Sequence, residues 1–76
     1  MVSAQDIENR LKEHFPDADI VLRDLTGGGD HWSLDIASSS FQGLGMVQQH
    51  QKVYGALNEW MKAEIHALQL NTKAKP

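Results

Sequence analysis

The apolar pattern changes period within one stretch, F-Q-G-L-G-M-V-Q-Q-H-Q-K-V-Y-G-A-L-N-E-W-M-K-A-E-I-H-A-L-Q-L-N-T from Phe41 to Thr72, and this change constrains the fold most. Val47, His50, Tyr54, Leu57, Met61 and Ile65 recur at steps of three and four, the spacing of one helix face turned toward a core. Trp60 widens that face. Gly43 and Gly45 punctuate the start, so the spacing predicts a turn over 41–45 and a continuous helix from about Met46 to Glu64. Gly55 lies inside this helix at a cost of roughly 1 kcal/mol against alanine. It marks either the close approach of another backbone or a tolerated weak spot. I-H-A-L-Q-L-N-T then alternates with period two and predicts a strand over about 66–71, in which His66 shares a side with Leu68 and Leu70. His66 thus stands at the junction of a long helix and a strand, at the margin of a buried surface.

Upstream, Ser3 followed by Asp6 reads as a helix start, with Asp6 and Glu8 at the positive end of the dipole. Ile7, Leu11 and Phe15 form its apolar stripe and Pro16 ends it, giving a helix from about Ser3 to His14. His14 falls at the carbonyl end, where a cation is favoured. I-V-L-R-D-L at 20–25 is rich in strand formers, and Gly27, Gly28, Gly29 and Asp30 predict a flexible hairpin connection. W-S-L-D-I at 32–36 alternates strictly, sending Trp32, Leu34 and Ile36 to one face and Ser33 and Asp35 to the other. Residues 37–40 connect to the long helix, and residues 71–76 are expected to fray.

The order α-β-β-α-β implies an α+β domain of two layers, a three-stranded sheet with helices on one face, whose last strand runs parallel to one of the first two. With 76 residues the chain is expected to form a single domain over 1–76. It has no cysteine, so neither disulfides nor a thiolate cage can support the core, and a reducing compartment such as the cytoplasm is compatible. No apolar run approaches the roughly 20 residues of a membrane span, and the start M-V-S-A-Q-D-I-E does not read as a signal peptide. A formal net charge of -3 works against nonspecific attraction to phosphate backbones.

There is no cysteine nucleophile, no G-x-S-x-G and no H-E-x-x-H, and the reading is not an enzyme. The three glycines at 27–29 join two strands and lack a following Lys-Ser/Thr, so they are not a phosphate loop. Four histidines remain, His14, His31, His50 and His66, and no two are spaced as a local metal motif. A shared site needs the fold to unite two of them. His31 on the hairpin and His66 at the start of the last strand qualify, since both lie at sheet ends. His50 on the apolar helix face is expected to be a hydrogen-bonded core histidine.

F-Q-G at 41–43, Q-Q-H-Q-K-V-Y at 48–54, I-H-A-L at 65–68 and the preceding G-D-H-W together resemble the BolA family of small proteins over nearly the whole chain. The resemblance implies an architecture similar to the class II KH fold, with mixed strand directions. It also implies a [2Fe-2S] cluster shared with a monothiol glutaredoxin, whose active-site cysteine and bound glutathione supply thiolates. The family's ligands fall on the histidine of I-H-A-L, His66, and on a histidine or cysteine of the loop between the first two strands. Here that loop is short, glycine occupies the family's ligand positions, and His31 is the remaining candidate. Imidazole can replace thiolate on one iron, as in Rieske centres. His66 is expected to matter more than His31, because ordering three glycines costs about 1 to 2 kcal/mol per residue.

The expectation is therefore a glutaredoxin partner in iron-sulfur trafficking or iron regulation, cytoplasmic, off the membrane, cluster-free when isolated and then a monomer or weak homodimer. The alternative is a KH-like nucleic-acid-binding transcriptional regulator, binding DNA weakly. Against it, Lys52 and Lys62 are offset by Glu59 and Glu64 on the long helix, and G-L-G at 43–45 is too short for a G-x-x-G clamp.

Overall fold

The computed structural model describes residues 2–63, 65 and 67–76. Helix α1 spans Ala4–His14, β1 Asp19–Asp24, β2 His31–Ser38, α2 Met46–Leu57, α3 Trp60–Ala63 and β3 Ala67–Ala74, with a one-turn 3-10 helix at Ser39–Phe41. The α1 start is as expected: the Asp6 N–H donates to Ser3 Oγ at 3.1 Å while the Ser3 N–H donates to Asp6 Oδ2 at 3.1 Å. This reciprocal pair satisfies two of the helix's orphan donors.

The sheet has the order β1-β2-β3, with β1 antiparallel and β3 parallel to β2. Alternation puts Trp32, Leu34, Ile36 and Ser38 on the buried face, opposite Leu68, Leu70, Thr72 and Ala74 of β3. Ile7, Leu11, Phe15, Phe41, Val53, Leu57 and Ile65 complete the core from the helical layer. Phe41, the first residue of the F-Q-G piece, packs its ring 5.2 Å from that of Phe15. Fully burying an aromatic of this kind contributes about 1.5–3 kcal/mol.

The long helix differs from expectation in two ways. It is not continuous, because α2 stops at Asn58, whose φ is 47°. Asparagine tolerates positive φ better than most residues. Arg10 secures the break from α1: its Nη1 donates to the Leu57 carbonyl at 3.2 Å and to Glu59 Oε1 at 3.0 Å, and its guanidinium lies 3.5 Å from the centre of the Trp60 ring. The Glu59 backbone N–H and then Arg10 hold the Glu59 carboxyl below its ordinary value. Glu64, the expected end of the helix, lies outside the described residues.

The second difference is the buried face. Gln49, Val53, Ala56 and Leu57 face the core, whereas Val47 is 70% and Tyr54 39% exposed. The helix is rotated because Gln49 enters the core with its hydrogen bonds made: Nε2 donates to the Leu44 carbonyl at 2.9 Å, and Oε1 accepts from the Thr72 hydroxyl at 2.6 Å. A Cβ added to Gly55 would meet nothing within 4 Å, so no backbone packs against it and the weak-spot reading holds.

Strand β3 continues to Ala74, so the expected fraying from residue 71 is corrected. The Lys75 N–H donates to the Ser38 carbonyl at 3.1 Å, its Nζ to the Asp17 carbonyl at 2.7 Å, and Gln42 Nε2 to the Lys75 carbonyl. Asp17 anchors the same corner, with Oδ1 accepting from Ser38 Oγ at 2.7 Å and Oδ2 from the Ser39 N–H at 2.9 Å. Bonds from the Ser39 side chain and backbone, then Ser38, with Lys75 nearby, hold its carboxyl well below the usual carboxylate range. Among the described residues no helix is long and apolar enough to cross a membrane.

Candidate metal centre

Strand β1 ends at Asp24 and β2 begins at His31, leaving residues 25–30 as the connection. Gly27 and Gly29 have φ of 78° and 76°, a region open to glycine and strained for other residues. Side chains cross this glycine-rich connection with hydrogen bonds from within. Asp24 Oδ1 accepts from the N–H of Thr26 at 3.3 Å and of Gly27 at 3.0 Å, and its Oδ2 from that of Gly29 at 3.0 Å. Thr26 Oγ1 accepts from the Gly28 N–H at 3.3 Å and donates to Asp30 Oδ1 at 3.3 Å. From the core side, the buried Trp32 indole donates to the Gly29 carbonyl at 3.0 Å.

The ordered loop delivers His31 to the end of the sheet. Its carbonyl accepts from the Leu25 N–H at 2.8 Å, and the carbonyl of Asp30 accepts from the Ala67 N–H at 3.1 Å. In the parallel register His31 stands opposite Ala67, the first residue of β3. Alternation along β2 assigns it to the face away from the core, with Ser33 and Asp35. Its Nε2 lies 3.8 Å from Asp30 Oδ2, and the two side chains are 39% and 51% exposed. That separation permits charge attraction but is too long for a hydrogen bond. A half-exposed imidazole whose backbone is held by Leu25 and, through Asp30, by the start of β3 fits the requirements of a ligand to an incoming metal group.

The other expected ligand, His66, lies outside the described residues. Its chain neighbours are the buried Ile65 and the exposed Ala67. His14 closes α1, which leads into the start of β1, the opposite end of the sheet from His31. Half-buried His50 has a buried Nε2 without a hydrogen-bond partner, so the expected hydrogen-bonded core histidine is corrected. Its ring stands edge-on to Tyr54, with centroids 6.3 Å apart. Among the described residues no three or more His, Cys, Asp or Glu are grouped so that they could hold a metal ion. Asp24 was missed as part of this site. An aspartate ending a strand before a Thr-Gly turn, apt to bond its own following backbone, was the available signal.

Residues 2–76 match the BolA family, described as BolA-like protein. An uncharacterized protein of Rickettsia prowazekii is 36% identical over 75 residues, covering 99% of this chain and 97% of that one. The solution structure of a BolA-like hypothetical protein from that organism superposes with a TM-score of 0.74 at 36% identity, covering 99% and 97% of the two chains. The DNA-binding transcriptional regulator BolA of Haemophilus influenzae is 30% identical over 74 residues, or 88% of this chain and 72% of the relative. BolA1 from Arabidopsis thaliana shares the fold at 24% identity, with a TM-score of 0.87 over the whole of both chains.

Proposed function

This chain belongs to the BolA family, and on that premise we propose that it is a cytoplasmic partner of a monothiol glutaredoxin, sharing a [2Fe-2S] cluster as cargo rather than acting as an enzyme. His31 and His66 are this chain's ligands, and the glutaredoxin cysteine and its glutathione supply the thiolates. The role is iron-sulfur trafficking or iron regulation. The reading is supported by the match to the BolA family over residues 2–76, with His31 at the end of the sheet where β3 begins at Ala67, the residue that follows His66 in the chain. The chain has no thiolate to offer, so imidazole is its donor to iron. Imidazole ligation is lost on protonation, which makes such a cluster more exchangeable than an all-thiolate one, as a carrier requires.

The test mixes the isolated protein with a cluster-loaded monothiol glutaredoxin. The expected result is co-elution at one to one, with altered visible absorption and circular dichroism. Separate elution with an unchanged spectrum overturns the reading.

The Haemophilus relative's name supports a second reading, a DNA-binding transcriptional regulator. A net charge of -3 weighs against it. A duplex titration followed by fluorescence anisotropy is expected to show weak, steeply salt-dependent binding. Submicromolar, sequence-selective binding at physiological salt would put the regulator first.

A further inference from the structure

We propose that Asp24 is the positioning residue for His31, an inference that rests on the cluster-sharing reading. The Asp24 carboxylate is the common acceptor around which the loop closes, taking the N–H groups of Thr26, Gly27 and Gly29 on its two oxygens. Carboxylate acceptors make stronger hydrogen bonds than neutral ones, so a single side chain can hold a glycine-rich segment. Trp32 grips the same segment from the core through the Gly29 carbonyl. At the loop's exit the His31 carbonyl accepts from the Leu25 N–H and the Asp30 carbonyl from the N–H of Ala67, the first residue of β3.

Glycine fits this arrangement for a reason beyond flexibility. Gly27 and Gly29 adopt positive φ, and a Cβ on Gly28 would stand 3.2 Å from Asp30 Oδ1 and 3.4 Å from Thr26 Oγ1. The three glycines let the backbone wrap the carboxylate closely. The chain thus has a short loop carrying no ligand of its own, built to fix the ligand at its exit.

The experiment uses the full chain and a cluster-loaded monothiol glutaredoxin. In the free protein, Asp24→Ala is expected to quicken amide exchange at Gly27 and Gly29 by roughly tenfold, equivalent to ~1.4 kcal/mol, with the far-ultraviolet circular dichroism unchanged. In the mixed complex the wild-type visible spectrum is expected to form, but the cluster passes to a chelator roughly tenfold faster, again ~1.4 kcal/mol. Placing Asp24→Ala in a His31→Ala background is expected to add no further acceleration, since the aspartate acts through that histidine. Asp24→Asn keeps one acceptor oxygen, is expected to fall between wild type and alanine, and serves if the alanine variant does not fold. Wild-type exchange at the glycines in these variants overturns the proposal. So does unaltered cluster release, or acceleration that adds in full to that of His31→Ala. A wild-type protein that forms no mixed spectrum brings down the cluster reading and this role with it, whereas a normal wild-type spectrum with unaltered release from the variants removes only the role of Asp24.

Discussion

The Thr72 hydroxyl donates to Gln49 Oε1 at 2.6 Å, joining the middle of β3 to a glutamine that occupies a core position on α2. The amide's other end donates to the Leu44 carbonyl, so one side chain fastens helix, strand and the preceding turn together. Gln49→Ala strands the Leu44 carbonyl and the Thr72 hydroxyl and is expected to destabilise the fold by about 1–3 kcal/mol. Urea unfolding of the single variants and of Gln49→Ala with Thr72→Val checks this. Coupling between the two sites is expected, and simple additivity would mean that the bond contributes little.

Asp17 sets the acid limit of the C-terminal corner. Hydrogen bonds from Ser39, then Ser38, with Lys75 nearby, lower its folded pKa below the unfolded value of about 3.9. Between the two values the unfolded chain binds more protons, so stability rises with pH through that window. The contribution is complete above the unfolded pKa and is lost as pH falls through the folded one. Thermal melts are expected to drop as pH falls below about 4, and Asp17→Asn is expected to flatten that fall while lowering the midpoint at neutral pH. A wild-type acid slope in Asp17→Asn would assign the dependence to other carboxylates.

Gly55 interrupts an exposed stretch of α2 with open space where a side chain would project. Gly55→Ala is expected to stabilise the protein by roughly 1 kcal/mol, the helix-interior difference between the two residues. The denaturation midpoint measures it. A lower midpoint would overturn the reading of Gly55 as a tolerated weak spot in the helix.

The hydrogen bonds that Asp24 and Trp32 make across the loop lower the ordering cost that ranks His31 below His66. In the mixed complex, His66→Ala is expected to abolish the visible circular dichroism spectrum with the fold intact, His31→Ala to weaken it or make the cluster labile, and His14→Ala to leave it unchanged. Far-ultraviolet spectra verify folding first. A folded His66→Ala protein with the wild-type cluster spectrum would remove His66 from the ligand set.

Both candidate ligands were legible by type, because histidine is conspicuous in a chain without cysteine. The structure puts His31 at the end of the sheet, whereas His66 lies outside the described residues. What held His31 was harder to see. Asp24 is an ordinary polar residue in a sequence, and its role appears only when the loop folds back on its carboxylate.

By itself the sequence determined the parts whose cause is local. The Ser3-Asp6 pair starts α1, strict alternation assigns Trp32, Leu34 and Ile36 to one face of β2, and the order α-β-β-α-β demands a parallel return. These follow from hydrogen bonding and side-chain direction over a few residues. Tertiary structure decided the rest. Periodicity counts Val47 and Tyr54 as core and Gln49 as surface, but a glutamine whose bonds are met by Leu44 and Thr72 can be buried, and α2 presents Gln49, Val53 and Ala56 to the core beside the expected Leu57. Likewise Asn58 ends the helix with Arg10 from α1 at the exposed carbonyl, and Ser38, Asp17 and Gln42 carry β3 onward past the residues expected to fray. In each case the deciding partner is distant in the chain, where no local pattern can register it.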